Sequence, residues 1–402
     1  MTNYSLSNVR APVLTKRFVA SLQSVLLPSV PPIALHEPIF GGNEWTYVKE
    51  CIDTGWVSSV GKYVDEFERR LAETTGSRFA IATSSGTAAL HVALKLAGVV
   101  ADEEVLVPAL SFVATANSVS HCGATPHFVD SSEDTIGLDA LALRDYLGFV
   151  AERSANGVRN KLTGRRLAAI VPMHAFGHPV DLDGLLSLSH DYGIPIVEDA
   201  AESLGSLYHG RHTGTFGMLS ALSFNGNKIV TTGGGGAILT QDAELARRAK
   251  HITTTAKLPH RWEFFHDEVA WNYRLPNINA ALGCAQLERL DEFVQVKRAL
   301  AERYINAFAN DEDIHFVKEP LGCHSNYWLG TAKLRVPSKT IRDELLTAAN
   351  DAGFMVRPVW TLLNQLPMYK DCPVASIPVA QRLADSIVNL PSGVAVAKGA
   401  TA

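Results

Sequence analysis

The chain has 402 residues, 47% of them hydrophobic and 19% charged, with a formal net charge of −5 from 36 Lys and Arg against 41 Asp and Glu. That size suits a globular protein with a substantial core split into two domains, and the mildly acidic balance argues against nucleic acid as a partner. Cys51, Cys122, Cys284, Cys323 and Cys372 are scattered without a CxxC pair, so neither a disulfide framework nor a zinc or other metal site is indicated, and a reducing cytoplasm is expected. No apolar run approaches the ~20 residues needed to cross a bilayer, and residues 25–28 are too short for a signal-peptide core. A soluble protein without a membrane partner is the expectation.

Along the chain, residues 1–36 read as an N-terminal extension: a short helix over 15–27, then a linker stiffened by Pro28, Pro31 and Pro32. From residue 37 to 276 short apolar runs alternate with helical stretches, the pattern of α/β architecture. Strands are predicted at 78–83, 104–108, 126–130, 167–172, 194–199, 221–224 and 236–240, with a helix over 86–97. So many buried strands with helical crossovers imply a mostly parallel sheet covered on both faces. Residues 277–402 read as a smaller α/β domain. It opens with one long amphipathic helix carrying Leu282, Leu287, Leu290, Phe293 and Val294 at near-helical period. A strand over 327–336, a helix over 340–352 and a strand over 354–359 follow.

Three places could carry chemistry. At 83–89 (TSSGTAA) a strand hands over to a helix, where free N–H groups and the helix dipole favour an anion and small residues let a phosphate approach. Without the sheet around it, this could equally be an ordinary N-capped turn. Dinucleotide and ATP motifs are absent. At 198–202 (EDAAE) carboxylates follow a strand, at the end where open parallel sheets bind ligands. At 223–228 (SFNGNK) a lysine lies in a loop of small and polar residues, followed by Gly233, Gly234, Gly235 and Gly236; such a lysine can act as a nucleophilic amine. Each is weak by itself. In this order, with Lys228 29 residues beyond Asp199, they match the layout of fold-type I enzymes that use pyridoxal 5′-phosphate (PLP).

With the segments at 107–117 (VPALSFVATAN), 129–130 (VD), 177–183 (GHPVDLD), 272–274 (NYR), 280–287 (AALGCAQL) and 389–392 (NLPS), the chain resembles the DegT/DnrJ type of sugar-nucleotide aminotransferases from about residue 37 to 391. The resemblance implies PLP as cofactor, carried as a Schiff base by Lys228, with Asp199 beside the pyridine nitrogen keeping it protonated. It assigns Gly86, Thr87 and Ser223 to the phosphate, Phe112 to the face of the ring, Glu202 to the region of the ring hydroxyl, and Asn272 to the phosphate of a second subunit. Arg274 and Ser59 become candidates for the substrate. The implied partners are a nucleotide sugar, glutamate as amino donor, and a second copy in a homodimer with shared active sites.

The Gly233–Gly234–Gly235–Gly236 run replaces the family's usual Gly-Glu-Gly-Gly. Together with residues 57–64 (VSSVGKYV) and 225–228 (NGNK), it resembles the legionaminic-acid pathway branch (LegC type). That branch implies amination of a UDP-linked 4-keto-6-deoxy-N-acetylhexosamine. Relatives that dehydrate sugars carry histidine at the lysine position, so Lys228 disfavours that chemistry. A PLP-binding regulator without turnover is the remaining alternative.

Overall fold

The structure is a computed structural model that describes residues 3–26, 31–154 and 157–398, with side chains from residue 12 onward. Its centre is a twisted sheet in the order Phe79–Thr83, Gly236–Thr240, Leu219–Ser223, Val197–Asp199, Leu167–Ile170, Glu104–Pro108, Thr125–Val129. Parallel bridges Ile170–Ile196 and Met173–Asp199 join its two halves. The amide of Asp199 donates to the carbonyl of Pro172 at 2.8 Å there. All neighbours run parallel except Gly236–Thr240, which is antiparallel to both strands beside it. The reason is the connection: residues 224–235 contain no helix, and a parallel return needs a longer crossover.

Side chains alternate across this sheet. Ile81, Val105, Val107, Val197 and Ile238 pack on one face with the helices Gly86–Leu96, Val113–His121 and Ala243–Thr253. On the other face, Ala80, Ala82 and Leu239 meet the helix Lys62–Thr75, while Leu106, Ile170 and Ile196 meet Ala140–Val150 and Leu182–Tyr192. With apolar side chains buried on both faces, the strands read as near-continuous hydrophobic runs.

A second, smaller sheet is antiparallel throughout: Ile314–Phe316, Gly330–Leu334, Ile387–Leu390, Arg357–Pro358. The long helix expected after Pro276 is two helices, Asn277–Leu287 and Leu290–Ala307. The break falls at Glu288, whose carboxylate is taken by Asn43, Tyr47 and Arg70. The first helix packs against the large sheet's outer layer through Ala280, Ala281 and Cys284, while Leu300, Ala301 and Tyr304 of the second pack with the small sheet.

The N-terminal helix is longer than the sequence suggests, Asn3–Leu26, with Pro12 inside it. Leu14, Phe18, Leu22 and Val25 repeat at helical spacing and bury against Phe308, Leu345 and Phe354. Among the described residues no helix is long and apolar enough to cross a membrane.

Candidate active site

A cavity of about 270 Å³ opens at the C-terminal ends of the parallel strands, the position where such sheets bind ligands. Its floor is set by close backbone approach. A Cβ on Gly86 would lie 2.8 Å from Ser223 Cβ, and one on Gly236 would lie 2.4 Å from the carbonyl of Ser85, so glycine at both positions lets the 85–87 turn sit on the neighbouring strands. Ser85 caps the helix Gly86–Leu96, its Oγ accepting from the Ala88 amide at 3.1 Å. The first-turn amides of Gly86 and Thr87 have no partner within the helix. With Ser223, they line one end of the cavity.

Two adjacent carboxylates on the strand Val197–Asp199 do opposite work. Glu198 turns inward, accepting the amides of Gly214, Phe216 and Gly217 at 2.6–2.7 Å and pairing with His174 Nε2 at 3.0 Å. Burial pushes its carboxyl up, but these donors outweigh burial and hold it below the usual range. Asp199 faces the cavity. Its Oδ2 accepts from Thr115 Oγ1 at 2.7 Å and its Oδ1 from the Ala201 amide at 3.2 Å. Burial raises this carboxyl in spite of both donors. A cation in the cavity acts the other way and lowers it, as the nearby Lys228 does in part.

Lys228 lies in the helix-free connection between two strands, and its Nζ enters the cavity. There it donates to Glu202 Oε1 at 3.1 Å and sits 3.9 Å from the centre of the Trp328 ring. Glu202 Oε2 accepts the amide of Phe176 at 2.9 Å. Burial pushes the Glu202 carboxyl up to about 7, with Lys228 and the Phe176 amide pulling the other way. The lysine loop is pinned by the Lys228 amide to Asn225 O at 2.9 Å, the Thr232 amide to Phe224 O at 3.0 Å, and the Trp328 indole N–H to Asn227 O at 2.7 Å.

Phe112 stands at the mouth, 46% exposed, edge-on to Trp360, which stacks on Phe176. Gly234 and Gly235 line the same space, and a Cβ on Gly234 would meet nothing within 4 Å. Gly86, Thr87, Phe112, Asp199, Glu202, Ser223 and Lys228 therefore converge on one cavity. Asn272, Arg274 and Ser59 lie outside its lining in the single chain. Arg274 Nε donates to Asn272 Oδ1 at 2.9 Å on the surface, and Ser59 is half-buried in the loop before Lys62–Thr75. Sequence reasoning missed Thr115, Trp328, Trp360 and Met173. Thr115 falls inside the 107–117 segment, which was a signal of position but not of contact.

These residues suit PLP. An anion end with free amides, a buried carboxyl facing the cavity, an amine and an aromatic ring at the mouth match the four parts of that molecule. The site is thus that of a PLP-dependent enzyme. The profile of the DegT/DnrJ/EryC1/StrS aminotransferase family matches residues 38–401, and the chain belongs to that family. It is 36% identical to a GDP-perosamine synthase of Escherichia coli O157:H7 over 360 residues, covering 90% of this chain and 93% of that one. It is 35% identical to a GDP-perosamine synthase of Caulobacter vibrioides over 91% of this chain and 94% of the other. Among solved structures it resembles the aminotransferase TlmJ of Streptoalloteichus hindustanus, with a TM-score of 0.80 and 29% identity over 89% of this chain and 93% of that one.

Proposed function

We propose that this aminotransferase moves the amino group of glutamate to the C4 ketone of a nucleotide-linked 4-keto-6-deoxy sugar, UDP-4-keto-6-deoxy-N-acetylhexosamine, in the biosynthesis of a bacterial surface amino sugar or nonulosonic acid. The observation that carries the chemistry is the shared cavity of Lys228 and Asp199. PLP, when bound, supplies an electron sink that makes a proton on the adjoining carbon mobile. Gly86, Thr87 and Ser223 would hold its phosphate, Asp199 its ring nitrogen, Glu202 its hydroxyl side, and Phe112 one face. Lys228 would hold it covalently and, once released as a free amine, would move a proton to and from the reacting carbon. Trp328, Trp360 and Phe112 keep bulk water from that proton.

The UDP-N-acetyl substrate is supported by the branch resemblance at 57–64 and 225–228, and by the open space over Gly234, where the family's usual glutamate would stand. A GDP-linked ketosugar is the second reading, favoured by the two GDP-perosamine synthases above. A panel of UDP-, GDP- and dTDP-linked 4-keto-6-deoxy sugars with glutamate, read by product mass, separates them. Faster turnover of the GDP or dTDP sugar would overturn the branch and leave the family intact.

The functional unit in this reading is a homodimer. Asn272 and Arg274 lie on the surface beside a run of exposed apolar side chains, Trp262, Phe264, Phe265 and Val269. A two-fold pair would bring one chain's Asn272 to the partner's phosphate end. Co-expressed Lys228→Ala and Asn272→Asp chains should then regain activity in verified heterodimers, since one site holds both intact residues. No regain with both parents dead would assign Asn272 to its own chain's site.

A further inference from the structure

Trp328, on the small-sheet wall of the cavity, and Glu202 both touch the amine of Lys228. Trp328 presents its indole face to Lys228 Nζ at 3.9 Å, while Glu202 Oε1 accepts from the same nitrogen at 3.1 Å. The Lys228 side chain is only 11% exposed and that of Glu202 1%, so water contributes little to solvating the ammonium. The indole is itself held in place. Its N–H donates to Asn227 O at 2.7 Å. Its backbone carbonyl accepts from the buried Lys297 Nζ at 3.1 Å. Its ring lies 6.4 Å from that of His36 between centroids, tilted by 50°. Burial, with Lys297 and Lys228 nearby, holds His36 well below its usual range.

We propose that Trp328 and Glu202 form a berth for the Lys228 ammonium in the interval after its free amine has taken the proton from the reacting carbon and before it delivers that proton, and that Trp328 is a positioning residue for catalysis. The proposal rests on Lys228 being the cofactor-bearing lysine. A released lysine needs a fixed resting place from which it reaches the reacting carbon without a rotamer search. The carboxylate supplies a charge-assisted hydrogen bond from one side, and the indole face supplies cation–π attraction from the other. The Asn227 bond ties the shelf to the backbone next to Lys228, so lysine loop and shelf move together.

The test is site-specific replacement of Trp328 in the holoenzyme by 5,6,7-trifluorotryptophan, which nearly keeps the volume of the indole and drains its π density. A desolvated cation–π contact predicts that kcat falls about threefold to thirtyfold, with KM for glutamate and for the ketosugar changed less than twofold. Trp328→Phe, which keeps an aromatic face, should retain more kcat than Trp328→Leu. A fluorinated enzyme with kcat within 1.5-fold of the tryptophan enzyme would overturn the berth, as would a loss confined to KM. If Trp328→Leu fails to fold, the fluorinated protein and Trp328→Phe still decide. Borohydride trapping with peptide mapping keeps the two readings apart. A label on Lys228 with unchanged kcat sinks the berth alone, whereas a label on a different lysine sinks the Lys228 assignment.

Discussion

The two walls of the cavity are built by different means. On the large-sheet side, Gly86 follows Phe79–Thr83, Asp199 ends Val197–Asp199 and Ser223 ends Leu219–Ser223, while Lys228 sits in the helix-free connection beyond Ser223. Backbone hydrogen bonding fixes where these groups point. On the small-sheet side the wall is aromatic: Trp328 just before Gly330–Leu334, and Trp360 just after Arg357–Pro358. Packing fixes these, together with the indole bond to Asn227 and the bonds that Lys297 and Asn326 make to the Trp328 backbone. The first wall carries the bond-making groups and the second sets the medium in which they work. Replacing a group on the first wall should therefore abolish a chemical step, and replacing one behind the second should change rates or stability by degrees.

The largest expected effect is on the first wall. Lys228→Ala removes the amine proposed to bind the cofactor and move the proton, so activity should be lost and no borohydride-reducible bond should form. A stable adduct at another lysine in this variant would break the comparison at its root. Asp199→Asn comes next. An amide in place of the carboxyl that accepts from Thr115 and Ala201 keeps the shape and loses the charge that would balance a pyridinium. Turnover should fall by more than tenfold, equal to ~1.4 kcal/mol in the barrier, with the far-ultraviolet circular dichroism unchanged. A kcat within tenfold of the parent would remove the electron-sink role from Asp199.

The contrast between the walls also explains what could be read from sequence. The strands of the large sheet are legible because continuous apolar runs bounded by turns are their chemical signature, and the order of turn, carboxylate and lysine follows from that layout. Glu198 and Asp199 are adjacent and chemically alike. Which one faces the ligand depends on the pleat and on the 214–217 segment that captures Glu198, and neither can be seen in the pentapeptide. Trp328 reads as strand core, since an apolar residue in an apolar run carries no sign of the lysine it will meet about a hundred positions away. The sequence suggests a helix only from 15, whereas the helix begins at Asn3 and runs through Pro12; burial of Leu14, Phe18 and Leu22 is decided by the surface they land on. The break at Glu288 is likewise invisible to periodicity, which runs on through it; the partners of its carboxylate lie in other helices and in the turn before one of them.

The smallest effect tests the support of the second wall through Lys297. Its ammonium is buried with carbonyls of Trp328 and Ser392 as acceptors. Burial brings its pKa from 10.5 down to about 7. The sign follows from proton counting. Between about pH 7 and 10.5 the unfolded chain holds a proton at Lys297 that the folded chain has released, so stability rises with pH across that window. Below pH 7 both states hold the proton and the full burial cost remains. Lys297→Met abolishes this dependence. The unfolding free energy of the parent, less that of the variant, should therefore grow from pH 6.5 to 10 by on the order of 3 kcal/mol, measured by denaturant titration of the holoenzymes. Because Met also leaves the Trp328 carbonyl without its lysine donor, the variant's absolute stability can move either way; the slope is the diagnostic. Parallel curves over the window would mean that Lys297 keeps its proton in the fold. Trp328 would then be supported by a standing charge, and the aromatic wall would be less distinct from the polar one than its composition suggests.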